Sequence, residues 1–505
     1  MALALYLALV AVLVLNAPAS VLDPGHARFF VLLGAVGAWR YGWGLVHLVR
    51  ALLYRGLVFP GLRARARAFA EDTGENAPRE ELFLVVTSYR IAPAVTIKVY
   101  RALVREAIAW GGPVTLVASI VETADERLIK RLFELLDPPE HVRLRLVRLP
   151  GRGKRHALAV ALRAVARARP REDAVVAVMD GDTLLTPGCL AATVPLFRLR
   201  PRAMALTTDE RPVLVGRSRI ARAWLELRFA QRHQIMSSLG LSRRLLAVTG
   251  RMSLLRARVA TDPSFIDRIE NDQMQHWRLG RFRFLTGEDK SSWVWLLERR
   301  HEMLYVPDVT VLTLEQPPPG GFARASTALM MRWSGNMLRA GSQALALGPA
   351  RIGLFLWWCV VDQRIAVWTP LIAPTLALAL GLLADPLYLY AYLLWVMLTR
   401  LVQTVLLATS GRAISGLWPL LLYWNQVWGA LVKGWVLFRL DRQRWTRQPI
   451  QAERDLMPED LRWMRLSSDV LHAAALAALV LAVGFWAGLL GPAWARPLSV
   501  SLLGS

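Results

Sequence analysis

The chain has 505 residues, 54% of them hydrophobic, with a positive mean hydropathy, so a wholly water-soluble protein does not fit and more than one domain is expected. Its formal charge of +24 comes from 62 Lys and Arg against 38 Asp and Glu. Only five of those cations are Lys, and no zinc, homeodomain or RNA-binding motif accompanies them, so nucleic-acid binding gives way to basic flanks of membrane segments. The two cysteines, Cys189 and Cys359, lie far apart and suggest neither a disulfide framework nor a metal cluster.

Residues Ala4 to Val21 are almost uncharged and about as long as a bilayer span. A cleaved signal peptide is the competing reading, but no basic stretch precedes the apolar run and a second apolar segment, Phe29 to Phe59, comes close behind; an uncleaved span is expected. That segment carries Arg40, Arg50, Trp39, Tyr41 and Trp43, residues that gather at membrane interfaces. After Pro60 come Arg63, Arg65 and Arg67, which by the positive-inside rule place the next part of the chain in the cytoplasm.

From Glu81 to Pro317 short apolar runs alternate with helical segments. Strands are expected from Leu82 to Thr87, Val114 to Ile120, Val142 to Leu149 and Ala174 to Met179. Helices are expected from Ala94 to Trp110, Asp125 to Leu136 and Lys154 to Arg169. This alternation predicts a parallel sheet with helices on both faces and a ligand at the carboxyl ends of the strands, where Ser88, Glu122 and Asp182 fall.

The fourth strand runs into Asp180-Gly-Asp182. At period two both carboxylates point the same way, and they repel unless a cation, such as magnesium or manganese with its hard-oxygen preference, lies between them; the plainer reading is a surface turn. Pro150 to Arg155 reads Pro-Gly-Arg-Gly-Lys-Arg and opens a helix, so amides, dipole and two cations suit a phosphate, although a solvated basic turn reads the same way and the P-loop spacing is absent. Val248 to Ser253, Val-Thr-Gly-Arg-Met-Ser, reads as a turn. Glu288 and Asp289 follow Gly287 before a helix, either as a positioned proton acceptor or as acidic residues in a first helical turn. His276 on its own is more often structural than a ligand. Arg332 beside Trp333 suits a diphosphate and a sugar ring, while Trp293, Trp295 and Trp333 also suit a core.

Beyond Arg351 the chain is apolar again. Ile352 to Val361 reads as interfacial, Trp368 to Leu383 and Leu387 to Ala408 as spans, and Val470 to Leu490 as a final span. Pro419 to Phe438, interrupted by Asn425, Gln426 and a snorkelling Lys433, lies on or crosses the membrane. The expected organisation is therefore membrane helices over 1–60, a cytoplasmic catalytic domain over 61–345, interfacial and membrane helices over 346–440, a basic cytoplasmic segment over 441–468 and a last span with its tail over 469–505.

In combination these motifs resemble the processive family 2 glycosyltransferases, which include the cellulose, hyaluronan and nodulation-chitin synthases. The resemblance rests on Thr87-Ser-Tyr-Arg, Gly153-Lys-Arg, Asp180-Gly-Asp, Gly287-Glu-Asp-Lys, Tyr305-Val-Pro-Asp and Arg332-Trp. It implies an α/β nucleotide-diphospho-sugar fold of GT-A type inserted between transmembrane helices. Gly37-Ala-Trp-Arg-Tyr, Leu227-Arg-Phe-Ala-Gln-Arg-His, Gln275-His-Trp-Arg-Leu-Gly, Phe284-Leu-Thr-Gly-Glu-Asp-Lys-Ser-Ser-Trp and Phe438-Arg-Leu-Asp-Arg-Gln-Arg-Trp-Thr-Arg-Gln-Pro narrow it to the catalytic subunits of bacterial alginate synthases, nearly end to end. That similarity implies transfer of mannuronate from GDP-mannuronate to a growing β-1,4 chain, extruded through the protein's own helices in the inner membrane.

The resemblance also assigns roles. Asp180 matches the carboxylate that contacts the nucleotide sugar, Asp182 the one that holds magnesium or manganese, and Asp289, next to Glu288, the catalytic base. Ser88, Lys154, Arg155, Arg332 and Trp333 would bind the nucleotide sugar or close over it, and Glu122 stands where relatives place an acidic residue. The chain departs from the family at Leu329, in place of a Gln, and at Lys290, in place of an Arg. Charge matching alone makes Lys290, Arg251, His276 and Arg155 candidates for the substrate's extra carboxylate. Membrane lipid and a separate cyclic-di-GMP-binding membrane subunit are the expected partners; Arg442-Gln-Arg444 has no receptor domain around it. A UDP-sugar synthase and an inactive scaffold of an exopolysaccharide complex are the alternatives, and nucleic acid is not an expected partner.

Overall fold

The computed structural model describes residues 2–18, 27–73, 79–443 and 458–490. The chain divides into a larger unit, His47–Val361 with Asp441–Arg454, and a smaller one, Met1–Val46 with Asp362–Leu440 and Asp455–Ser505.

In the larger unit the strands are β1 (Leu82–Thr87), β2 (Val114–Ile120), β3 (Val142–Arg148), β4 (Val175–Asp180), β5 (Thr183–Leu184), β6 (Ala203–Leu214), β7 (Ser253–Arg256), β8 (Gln273–His276), β9 (Gly280–Arg283) and β10 (Glu302–Glu315). Eight of them form one sheet in the order β3-β2-β1-β4-β7-β6-β10-β5, and β8 and β9 pair as a hairpin. Every residue of β1 is buried, the signature of a strand covered on both faces, and helices Pro93–Trp110, Thr123–Leu136 and Lys154–Arg167 make the expected crossovers. Strand order runs outward from β1 through β2 to β3 and then reverses to β4 on the other side. The β1/β4 junction is thus a topological switch point, where a crevice opens beyond the strand ends.

The sheet is mixed rather than wholly parallel. β7 runs antiparallel to both β4 and β6, and β5 antiparallel to β10. The reason is local: the loop over 241–252 returns the chain to the carboxyl end of β4, where Ser253 pairs with Val178, so β7 has to run back down. That reversal brings Thr249, Gly250 and Arg251 to the open edge of the sheet. Beneath it Trp110, Trp224, Trp293 and Tyr305 are fully buried, and the Trp110 indole N–H donates to the Glu80 carbonyl at 3.0 Å.

In the smaller unit, Phe29, Leu33, Leu376, Ala377, Leu380, Tyr392 and Val483 form one apolar cluster. Arg40 pairs with Asp362 at 2.6 Å, and Arg400 donates to the Tyr41 hydroxyl at 3.2 Å. Among the described residues four helical stretches are long and apolar enough to cross a membrane: Phe29–Phe69, Leu354–Leu383, Leu387–Ala408 and Glu459–Trp486. The first expected span is a helix of 14 residues, Ala2–Leu15, about 21 Å long at 1.5 Å per residue and short of a bilayer core; 19–21 lie outside the described residues. Ile352 to Val361, expected at the interface, falls largely in the 30-residue apolar stretch Leu354–Leu383. Helix Trp418–Leu437 has its polar interruptions and is not among the four. Of the basic segment, 444–457 lie outside the described residues, and Pro458 opens the last helix.

Candidate active site

β1 and β4 end side by side, Thr87 in register with Asp180, and the Gly181 N–H donates to the Thr87 carbonyl at 2.9 Å. A Cβ on Gly181 would lie 2.2 Å from Ser88 Oγ and 3.1 Å from that carbonyl, so only glycine lets the strand ends close this tightly. The cleft above them is lined by Ser88, Asp180, Asp182, Lys154, Arg251, Glu288, Asp289, Arg332 and Trp333, with Gly250, Leu329 and Asn336. Nine of the expected site residues, from six separate stretches of chain, thus share one cavity.

Lys154 opens its helix after Gly153, which sits at φ +100°. Its ammonium bridges Asp180, at 2.5 Å, and Glu288. Burial alone would lower this ammonium, but the two carboxylates outweigh it and hold Lys154 above its ordinary range. Burial would likewise raise Glu288; the charge and hydrogen bond of Lys154, helped by Arg155, carry it down to about 2. Asp289, the next residue, goes the other way. Burial and then the Glu288 charge raise it above the usual aspartate range, only partly offset by Lys290 and Lys154. Two adjacent acids in one helical turn are thus driven apart, Glu288 held low and Asp289 held high. Both acids lie in the first turn of that helix, and both line the cleft.

Burial also raises Asp180; Lys154 opposes it, while Asp182 and Glu288 add to the rise. Among the described residues no group of three or more His, Cys, Asp or Glu is arranged to hold a metal. Asp180 and Asp182 still form a hard-oxygen pair in a cleft rich in carboxylates. Such a set fits a divalent cation that takes its remaining ligands from a diphosphate and water.

The loop that presents Glu288 and Asp289 is fastened from four directions. The Phe284 N–H donates to the Asp272 carbonyl at 2.8 Å. The Thr286 hydroxyl donates to Asn336 Oδ1 at 2.7 Å, and the Thr286 carbonyl accepts from Arg155 at 2.9 Å. Gln443 brackets the strand with both ends of its amide, accepting from the Leu285 N–H and donating to the Arg283 carbonyl, each at 2.8 Å.

Four expected residues lie elsewhere. Arg155, expected on the phosphates, is buried and donates to the Ile269 and Thr286 carbonyls and to Ser291 Oγ, so it shapes the loop instead. Glu122 is exposed at the N-cap of helix Thr123–Leu136, beyond β2 rather than at the switch point, and its neighbour Val121 lines the cleft. Lys290 donates to the Leu246 carbonyl at 2.6 Å and lies over Trp293. His276, at the end of β8, accepts from the Arg278 and Leu279 N–H groups through Nδ1. Arg251 does line the cleft, paired with Glu315 at 2.8 Å and with buried Glu210 at 3.4 Å. Trp333 stacks on Trp224, centroids 5.6 Å apart and planes 13° from parallel. Asn336, Glu210, Glu315 and Gln443 were missed. Asn336 alone carried a signal, one turn after Arg332 on the same helical face.

The profile described as glycosyltransferase like family 2 matches residues 78–336. The chain is 46% identical over 451 residues to a glycosyltransferase alg8 of Pseudomonas syringae pv. tomato, covering 89% of this chain and 90% of that protein. It is 47% identical over 454 residues to glycosyltransferase alg8 of Azotobacter vinelandii, covering 90% and 91%. Among solved structures, a mannosyltransferase from Pyrobaculum calidifontis in complex with GDP-Man and Mn2+ overlays 79% of this chain and 99% of its own, at 19% identity and a TM-score of 0.44.

Proposed function

The chain belongs to the family 2 glycosyltransferases, and from that premise we propose that it polymerises mannuronate from GDP-mannuronate into β-1,4-linked polymannuronate and passes the chain across the bacterial inner membrane, its catalytic unit facing the cytoplasm. The observation that carries the chemistry is the divergence of Glu288 and Asp289 over one cleft. The substrate rests on the near full-length relation to the two alg8 glycosyltransferases.

Asp289 takes the proton of the acceptor hydroxyl as that oxygen attacks the anomeric carbon from the side opposite the diphosphate. The bond from that carbon to the diphosphate oxygen breaks, its electron pair leaves with GDP, and the single displacement inverts the configuration. Asp289 then releases its proton to solvent. Lys154 ties the donor-side carboxylate Asp180 to the base-side carboxylate Glu288, which keeps both halves of the site in register. Magnesium or manganese, held by Asp182 and Asp180, would supply charge to the departing diphosphate. Arg332 meets the diphosphate and Trp333 offers its face to the acceptor sugar. A separate cyclic-di-GMP-binding membrane subunit is the partner this reading implies.

The test is binding of GDP against UDP to the detergent-purified chain, with and without magnesium, for the natural protein and Asp182→Ala, followed by turnover of GDP-mannuronate. Magnesium-dependent preference for GDP, lost in the variant, is the expected result. Preference for UDP would discard the substrate, and binding of neither would favour the scaffold.

A further inference from the structure

A mannuronate polymer carries one carboxylate per sugar, yet the cations expected to meet it have other work. Arg155 is spent on two carbonyls and a hydroxyl, Lys290 on a carbonyl, and Arg251 on two carboxylates. Arg228, on helix Arg219–Gly240, is different. Its guanidinium lies 5.6 Å from the centroid of the Trp333 ring, and among the described residues it has neither a carboxylate nor a hydrogen-bond partner. Burial lowers its pKa with no acid acting against the shift. One turn earlier on the same helix, Trp224 stacks on the same ring and holds Trp333 in place at the cleft wall.

A partly buried guanidinium satisfied only by an aromatic ring retains five N–H donors and a full charge, a strong and geometrically specific binder of carboxylate. We propose that Arg228 binds the carboxylate of the acceptor uronate whose ring rests against Trp333, and so selects an acidic polymer over a neutral one. This rests on the polymannuronate reading and adds the residue that recognises the acid.

The experiment uses the full-length chain in detergent, with GDP-mannuronate as donor and two acceptors of equal length, oligomannuronate and β-1,4-linked mannose oligomers. Wild-type turnover of the donor tests the underlying reading by itself. Given turnover, Arg228→Gln is expected to raise the acceptor KM for oligomannuronate about tenfold, to leave that for the neutral oligomer nearly unchanged and to retain GDP affinity. Arg228→Lys is expected to recover part of the preference. Equal losses on both acceptors would reduce Arg228 to packing against Trp333, and an intact preference would remove it from recognition; either overturns the inference. Should Arg228→Gln lose GDP binding, Arg228→Lys decides alone: a preference equal to wild type overturns the proposal, and a reduced one supports it.

Discussion

Gly287→Ala isolates the geometry of the loop that carries the proposed base. Gly287 caps helix Glu288–Glu298 in the left-handed region, at φ +86° and ψ 40°, where an alanine costs about 1–2 kcal/mol. Its Cβ would also stand 2.9 Å from Asn336 Cγ and 3.2 Å from Asn336 Cβ. Asn336 cannot swing aside freely, because its Oδ1 accepts from Thr286 Oγ1 at 2.7 Å and from Arg339 at 2.5 Å. Loosening those bonds adds roughly 1–2 kcal/mol, for a total of about 2–4 kcal/mol. If half of this is relieved by moving Glu288 and Asp289, turnover falls about five- to thirty-fold. Gly111→Ala is the matched control: it lies at φ +69°, at the C-cap of helix Pro93–Trp110, with nothing within 4 Å of an added Cβ, so it carries strain without collision and lies outside the cleft. Thermal midpoints and initial rates per folded molecule in detergent decide the matter. Both variants are expected to melt earlier, with only Gly287→Ala losing turnover while GDP affinity holds. Equal turnover in the two would refute the reasoning.

The acid limb of kcat/KM should lie above the ordinary aspartate range, since burial and Glu288 raise Asp289 and the base is lost as pH falls through that raised value. Lys290→Met removes a charge that lowers Asp289 without entering the cleft, so the limb should move to higher pH; a limb that stays or moves down contradicts the assignment. Gln443→Leu deletes two hydrogen bonds worth about 0.5–1.5 kcal/mol each, and turnover should drop roughly three- to tenfold with GDP binding intact. Unchanged turnover would mean that the loop needs no such support.

β1, β2 and β4 were legible because strands buried on both faces read as largely apolar runs, β3 because an edge strand alternates apolar residues with Arg, and Asp180 and Asp182 because they stand where an apolar run stops. Arg155 was misjudged for a reason of helical geometry. It follows Lys154 directly, but one residue turns about 100° around the helix, so Lys154 enters the cleft while Arg155 meets the Ile269 and Thr286 carbonyls. β7 is four residues long, too short for its pattern to reveal its direction. Glu122 ends its strand as expected, but strand order, which no local pattern encodes, decides which ends meet at the cleft. Gln443 contacts residues about 160 positions earlier, and nothing near it in sequence points back to them.

That last contact bears on how the protein is made. Translation proceeds from the N-terminus, so the loop bearing Glu288 and Asp289 leaves the ribosome well before Gln443, and the apolar stretches Leu354–Leu383 and Leu387–Ala408 emerge between them. At about 5–20 residues per second the delay is on the order of ten seconds. During that interval a nascent chain has its acidic cluster without the amide that brackets it. On the proposed reading, turnover is thereby tied to completion of the chain past two stretches long and apolar enough to cross a membrane, and a chain broken off before residue 443 would leave the ribosome with Asp289 poorly held.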